Sequence, residues 1–146
     1  MSRRDGLHES DSSKQSEVLS LVQNVMKACI SKRVEEQKKL AECLKQSLVG
    51  IADPSEMIIQ YFSKKRLSNG DSLKNLLRAI EMCIDDSCLL LLCGFIRDLI
   101  STGNTKVRLA RHRRLIKADA TSALLRTLRY RLKENISSRK KGENKV

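Results

Sequence analysis

The chain has 146 residues, of which 40% are hydrophobic and 3% aromatic, with no Trp, one Pro and six Gly. That length accommodates one modest domain with a real core, and so few aromatic residues and turn formers argue against a β-sandwich or barrel. Leu, Ala, Lys, Arg and Glu dominate, so we predict an all-α fold; the formal net charge is +12.

The positive charge is concentrated in the last quarter of the chain. Residues 1–105 contain 15 Lys and Arg and 14 Asp and Glu, a net charge of +1, whereas residues 106–146 contain 14 and 3, a net charge of +11. A field of that sign attracts acidic partners such as nucleic acid, anionic lipid or an acidic protein surface.

The five cysteines form no C-x-x-C pair and have no ligand spacing to either histidine. We therefore expect no metal site and interpret them as small buried side chains of a protein in a reducing compartment. The N-terminus lacks the apolar region of a signal peptide. The longest apolar run, Cys88–Ile96, is shorter than the ~18–20 residues of a membrane span, so we expect no membrane span and a cytoplasmic or nuclear location.

The first helical pattern follows a polar, serine-rich segment. Residues 1–15 show no periodicity and are expected to be disordered, as is the basic tail 136–146, which leaves a helical domain at 16–135. Two apolar stripes at helical spacing then follow: Val18, Val22, Val25 and Cys29, and Leu40, Leu44 and Leu48. The charged segment between them fits either one long helix or two helices that meet near Ser31, with Gly50 as the stop.

The next helix has a clear start signal. Asp53 can cap it and Pro54 suits its first position. Its apolar face consists of Met57, Ile58, Tyr61 and Phe62. The segment Leu67–Asp71 then predicts a loop, because Asn-Gly tolerates positive φ.

Two further helices follow this loop. Asp71 or Ser72 is expected to cap the first, and the residues predicted to point inward are Leu73, Leu76, Leu77, Ile80 and Ile84. Asp85 and Asp86 can cap the second, at about 87–102, which is apolar over most of its circumference as buried central helices are. Gly103 is expected to end it.

The last two helices are basic. Asn104 is expected to begin one that ends near Ala118, and Thr121 or Ser122 one that fades near Asn135. Four leucines share a face of the final helix, and the first three are expected to be buried: Leu124, Leu125, Leu128 and Leu132. Six or seven short amphipathic helices predict a helical stack or an irregular helical bundle.

The stretch 94–128 resembles an armadillo repeat. "FIRDLI" (Phe95–Ile100) is similar to the end of the family's inner helix, with Asp98 where the family usually has Asn. "LIKADATSALLRTL" (Leu115–Leu128) is similar, without a gap, to the joint and the helix that follow. The residues that match in identity are Ala118, Ala120, Ala123, Leu124 and Leu128.

Two positions depart from the family pattern. Asp119 stands where the family usually has Gly and Ser122 where it has Pro, and both suit the joint because Asp tolerates left-handed geometry and Ser can cap a helix. The resemblance implies a short armadillo-like stack of about two repeats, fewer than such arrays usually contain; HEAT repeats are the near alternative.

The sequence contains no pattern that predicts catalysis. Ser, His and Asp never gather at the spacing of a nucleophile and a base, and the glycines form no phosphate loop. We therefore expect neither an enzyme nor a cofactor. The candidate binding residues are instead charged side chains of the last three predicted helices: Arg97, Asp98, Arg108, Arg111, Arg114, Arg126, Arg129 and Lys133.

These observations predict a non-catalytic interaction module or adaptor whose basic C-terminal face binds a protein with an acidic surface. One alternative is an RNA- or DNA-binding protein that uses the basic segment 106–141, with phosphate contacts that weaken as salt rises. Another is a truncated form of a larger armadillo-repeat protein. Self-association is a further expectation, since an incomplete stack leaves apolar surface to cover.

Overall fold

The computed structural model describes residues 2–63 and 71–143, with side chains at 13–63 and 71–137. These residues form seven helices and no strand: α1 (Ser2–Ile30), α2 (Val34–Val49), α3 (Pro54–Ser63), α4 (Ser72–Met82), α5 (Asp86–Ser101), α6 (Thr105–Lys117) and α7 (Ala120–Glu143). The predicted all-α class is confirmed: the chain forms a helical bundle or repeat stack.

Helical backbone also covers 2–15 and 136–143, where the sequence predicts irregular chain. Extending a helix that is already formed costs far less than starting one, so weakly periodic flanks can continue α1 and α7. The predicted loop residues 67–70 lie outside the described part of the chain.

The main core lies between α1, α2, α3, α4 and α5. The predicted stripe of α1 is buried at all four positions, and α1 packs against α2 and α4 while α5 packs against α2 and α3. The first two helices are separate, because α1 ends at Ile30 and Lys32 has a positive φ of 56°. Phe62, Leu76, Ile80 and Leu92 fill the centre of this core.

Four helices begin with the predicted caps. Asp71 accepts a hydrogen bond from Leu73 N at 3.0 Å, and Asp85 accepts one from Cys88 N at 2.9 Å. In the other two caps, Asp53 accepts a hydrogen bond from Glu56 N at 3.2 Å and Asn104 accepts one from Val107 N at 3.0 Å. Each cap satisfies a helix-end N–H group and contributes roughly 1 kcal/mol.

Two predictions about α4 and α5 are wrong. Ile84 was expected to point inward but is 45% exposed, because α4 ends at Met82 and Cys83 is already extended. The helix α5 is not buried all round, since Leu90 is 74% exposed and only one side of α5 faces the core. Continuous apolar sequence cannot by itself identify which side has a neighbour.

The last two helices close one side of the core. α6 packs against α5 and α7, and α7 packs against α4. Asp119 joins α6 to α7 with φ 61°, the left-handed geometry that the sequence suggests for this position. Since the Asp119 carbonyl accepts a hydrogen bond from Ala123 N at 3.2 Å, α7 begins at Ala120, slightly before the predicted start.

Candidate functional site

The helix α7 contacts the rest of the protein through small residues. Ala120 and Ala123 are buried, and Thr127 Oγ1 donates to Ala123 O at 2.9 Å. Arg131 lies four residues after Thr127, on the same side of the helix, and its side chain is only 19% exposed. The side of α7 that faces the core is therefore made of small and polar residues together with Leu124, which is half-buried against the core.

The predicted burial of the leucine face is wrong for Leu125 and Leu128, whereas Leu124 packs against the core. Leu125 and Leu128 are 46% and 56% exposed, and Leu124 is half-buried. Because an α-helix turns about 100° per residue, Leu125 lies roughly 140° around the axis from Ala120. Packing through the alanines thus leaves Leu125, Leu128 and Leu132 on another side of the helix.

We call the resulting exposed surface the apolar stripe. Its members recur at i, i+3, i+7 and i+11 along α7: Leu125, Leu128, Leu132 and Ile136, all between 46% and 56% exposed. Arg129 and Lys133 lie at its border and are exposed. The stripe combines apolar side chains with adjacent positive charge.

Basic residues of α6 contact the carboxyl ends of other helices. Arg111 is 6% exposed and donates from Nη2 to the carbonyl of Thr102, which caps α5. His112 Nε2 lies 3.2 Å from Ile100 O in the same turn of α5. Arg114 Nη1 donates to Phe62 O at 3.1 Å, in the last turn of α3. Cations are favourable at these positions, where the helix dipole is negative and carbonyl groups lack helical partners.

Arg131 makes the corresponding contact from α7 to α4. Its Nη2 donates to the carbonyl of Cys83, the C-cap of α4, at 2.7 Å, and its Nη1 bonds Asp86 Oδ1 at 2.5 Å. We call Arg111, Arg114 and Arg131 the capping arginines. None of α3, α4 and α5 has a basic residue in its own last turn, so the cations come from α6 and α7.

Two residues of the predicted contact surface make contacts within the protein. Arg111 is buried, and Arg114 is half-buried and donates to the carbonyl of Phe62. Arg126 is 60% exposed but pairs with Glu81, at 2.5 Å from Nη2 to Oε1. Arg108 is half-buried with its Nε enclosed. Arg129 and Lys133 are the predicted residues of α7 that extend into solvent beside the stripe.

Arg97 and Asp98 lie elsewhere, in a shallow groove between α3 and α5. The groove also contains Leu90 and Ser55, and Ser55 Oγ donates to Asp98 Oδ2 at 3.3 Å. Asp98 thus has a partner within the protein, while Arg97 is exposed. The structure assigns these residues and those of α7 to different helices, so the predicted set does not form one cluster.

The structure also assembles three cysteines that the sequence gives no reason to group. Cys29 at the end of α1, Cys83 after α4 and Cys88 in the first turn of α5 are buried, and their Sγ atoms all lie within 4.8 Å of one another. We call them the cysteine cluster. Cys29 Sγ and Cys88 Sγ are 3.5 Å apart.

Gln37 on α2 supports the backbone around the cysteine cluster. Its fully buried amide oxygen accepts from Ile84 N at 2.9 Å and Asp85 N at 3.1 Å, and its Nε2 donates to Ala28 O at 3.2 Å. Cys83 Sγ lies 3.7 Å from the same oxygen. The sequence does indicate that Gln37 is buried, because it precedes Leu44 by seven residues and so lies on the apolar side of α2.

The thiols of the cysteine cluster titrate unequally. Hydrogen bonds from Cys29 and Cys83 stabilise a thiolate at Cys88 and lower the pKa of that group, against the effect of burial. Hydrogen bonding to Cys83 and Cys88, together with burial, raises the pKa of Cys29. One sulfur of the cluster is therefore the preferred site of negative charge.

Comparison with family models, curated proteins and solved structures finds no match to this chain. The armadillo resemblance consequently rests on residues 94–128 alone. Within the described ranges, no helix combines the length and the apolar content needed to cross a bilayer.

Proposed function

We propose that the chain is a non-catalytic, armadillo-like interaction module that binds an acidic amphipathic helix of a partner protein along α7. The observation that carries this proposal is the apolar stripe, a row of three leucines and an isoleucine on one side of α7 with basic residues at its border. The local support for the armadillo type is the joint at Asp119, whose left-handed φ suits a position where the family has Gly.

The apolar content of the stripe favours a protein ligand. Burying a whole leucine or isoleucine side chain contributes roughly 1.5–3 kcal/mol, so covering four half-exposed side chains makes a substantial apolar contribution to the free energy of binding, to which ion pairs at the border add. Spacing of i, i+3 and i+7 is the pattern by which one helix contacts another. A helix is therefore the fitting ligand.

The charge at the border specifies the kind of helix. Neither Arg129 nor Lys133 has an ionic partner among the side chains that the structure describes. A ligand helix with Glu or Asp flanking its apolar residues would pair with both. A second copy of this chain is a poorer ligand, because stacking two copies of α7 along their stripes would bring like charges together.

The contacts of the arginines argue against nucleic acid as the main ligand. Arg111, Arg114 and Arg131 bind backbone carbonyls, and Arg126 pairs with Glu81, so four guanidinium groups already have partners within the protein. Phosphate binding depends on the number of available cations, and a leucine row contributes little to phosphate recognition.

The test is a fluorescence-anisotropy titration of the full chain with three labelled probes. The first is a 20-residue helical peptide with leucines at i, i+3 and i+7 flanked by glutamates; the second replaces those glutamates with lysines; the third is a single-stranded RNA of mixed sequence. We expect saturable binding of the acidic peptide, at least about tenfold tighter than the basic one, the difference that 1.4 kcal/mol of ion pairing gives.

Matched variants identify the surface that binds. Leu128→Ser and Leu132→Ser should each weaken binding of the acidic peptide about tenfold or more. Leu109→Ser, an equally exposed leucine of α6, should leave it unchanged. Arg129→Glu should weaken binding, and Arg113→Glu should have a smaller effect.

Three results would contradict the proposal. One is tighter binding of the RNA with a steep salt dependence that Leu128→Ser leaves intact, which would favour the nucleic-acid alternative. Another is equal binding of both peptides. The third is concentration-dependent dimerisation in sedimentation that Leu128→Ser abolishes, which would identify a second copy as the ligand of the stripe.

A further inference from the structure

We propose that Cys29, Cys83 and Cys88 form a three-thiolate binding site for a soft, thiophilic metal ion, with Cu(I) as the ion that the site fits best. The proposal is independent of the interaction surface on α7. It rests on the distances within the cysteine cluster, on its burial and on the charges that surround it.

The separations of the sulfurs match three-coordinate binding. An ion held at about 2.3 Å from each of three sulfurs requires Sγ–Sγ distances of about 4.0 Å in a trigonal plane. In the cysteine cluster one of these distances is 3.5 Å and the others are no longer than 4.8 Å. Each Sγ–Sγ distance therefore has to change by less than about 1 Å for all three sulfurs to reach one ion.

The surroundings favour three ligands rather than four. The three cysteines are at most 4% exposed, and the group of ligand atoms within 4.8 Å consists of these three sulfurs in the described part of the chain. The side-chain oxygen of Gln37, 3.7 Å from Cys83 Sγ, already accepts hydrogen bonds from two backbone N–H groups. Zn(II) prefers a tetrahedral set that includes a fourth ligand, whereas soft thiolate sets suit Cu(I).

Positive groups lie next to the site and can offset its negative charge. Cys88 is in the first turn of the 16-residue helix α5, where the helix dipole favours a thiolate. Arg131 binds the carbonyl of Cys83 at 2.7 Å.

Binding requires no redox step. Three thiols and one Cu(I) ion give a complex with three Cu–S bonds and release up to three protons to the solvent, while copper stays monovalent and no electron is transferred. Because the three sulfurs come from α1, from the residue after α4 and from α5, the ion would connect the first helix to the middle of the bundle. Metal binding would therefore stabilise the fold.

A disulfide is the competing chemistry. The 3.5 Å separation of Cys29 and Cys88 would allow an oxidant such as hydrogen peroxide to join them, with two thiols oxidised and the peroxide reduced to water. Burial argues against this reaction, because thiol oxidation depends on exposed thiolate.

The test is an anaerobic titration of the reduced full chain with Cu(I) buffered by a competing chelator. The background variant is Cys43→Ser with Cys93→Ser, which removes the two cysteines outside the cluster. We expect one Cu(I) per chain in this background, with X-ray absorption showing three sulfur neighbours at about 2.3 Å. Adding Cys88→Ser should lower the affinity on the order of 100-fold or more, at least the loss seen for changes around metal ligands.

A second measurement covers the case in which Cys88→Ser does not fold. The reduced natural chain is alkylated with iodoacetamide under mild denaturation, with and without Cu(I), and the sites are read by mass spectrometry. Cu(I) should protect Cys29, Cys83 and Cys88 and leave Cys43 reactive. Circular dichroism of each variant shows which binding losses reflect unfolding.

Several outcomes would overturn the assignment. These are two-sulfur coordination of copper, binding that depends on Cys43 or Cys93, and tighter binding of Zn(II) with a light fourth ligand. Recovery of a Cys29–Cys88 disulfide from air-exposed protein that shows no saturable Cu(I) binding when reduced would support the redox reading instead.

Discussion

The helices α1–α5 and the pair α6–α7 differ in which side chains they bury and which they expose. In α1–α5 the apolar residues are mostly inside, as at Val22 and Leu76, and aspartates begin three of the helices. In α6–α7 the large apolar residues are mostly outside and arginines point inward. The first region is a conventional hydrophobic core, whereas the second is attached to it by a few apolar residues, among them Leu115 and Ala123, together with the contacts of its arginines.

This difference explains part of the positive charge that is concentrated in α6 and α7. Three of the core helices end without a cation of their own, and the capping arginines supply one to each from α6 or α7. Part of the positive charge is thus structural. Using arginine for attachment leaves Leu125, Leu128 and Leu132 of α7 available at the surface.

The largest expected effect is on the core side of the comparison, at Gln37. Gln37→Leu keeps the volume but removes acceptors for Ile84 N and Asp85 N and a donor to Ala28 O. Leaving such groups without partners costs about 3 kcal/mol in all. We expect urea unfolding to show a free energy of unfolding lower by that amount.

The matched control is Gln46→Leu, an exposed glutamine of the same helix. Its free energy of unfolding should change by less than about 0.5 kcal/mol, as is usual for surface substitutions. Equal effects at Gln37 and Gln46 would refute the role assigned to the buried amide.

The next largest effect concerns Arg131 and the attachment of α7. Arg131→Ala removes the bond to Cys83 O, and hydrogen bonds to charged groups contribute about 2 kcal/mol. The pair with Asp86 adds little, because that carboxylate is 86% exposed. The free energy of unfolding should fall by about 2 kcal/mol, and hydrogen exchange should increase in α7 more than in α1.

Arg129→Ala is the control for this substitution. It removes the same charge from the same helix but leaves the contact to α4 in place, so stability should be nearly unchanged. If Arg129→Ala is as destabilising as Arg131→Ala, then the loss of stability comes from the change in overall charge and not from the loss of the cap on α4.

The two regions also differ in how far the sequence predicts them. Caps at Asp53, Asp71, Asp85 and Asn104 are local, each depending on a few neighbouring residues. Asp53 and Asn104 were predicted directly, and Asp71 and Asp85 each as one of two adjacent candidates. The stripe of α1 was equally predictable, because its period alone defines the buried side.

What the sequence could not predict depends on which helices become neighbours. The leucines of α7 have the period of a buried face, yet α7 packs through Ala120 and Ala123, since the small residues allow close approach to α4. The cysteine cluster depends on a contact between residues 59 positions apart. Neither the spacing of residues nor the composition predicts a tertiary contact of this kind.

A smaller effect is expected at the boundary between the two regions, at Gly103. Its φ of 101° is unfavourable for any residue with a Cβ, and an added Cβ would lie 2.7 Å from Arg111 Nη2. Gly103→Ala should lower the free energy of unfolding by about 1 kcal/mol. Gly50→Ala is the control, because Gly50 has an ordinary φ of −80° and a Cβ there would meet its nearest atom at 3.6 Å.

The smallest expected effect on stability is at the apolar stripe itself. Leu128→Ser exchanges a side chain that is 56% exposed for a polar one, so little apolar area returns to water on unfolding. We expect the free energy of unfolding to change by less than about 0.5 kcal/mol. A large loss of stability at Leu128 would mean that the stripe is covered within the protein, and the docking proposal would then fail. Unchanged stability together with loss of acidic-peptide binding would separate the two regions cleanly, since the same residue type would serve folding in α4 and recognition in α7.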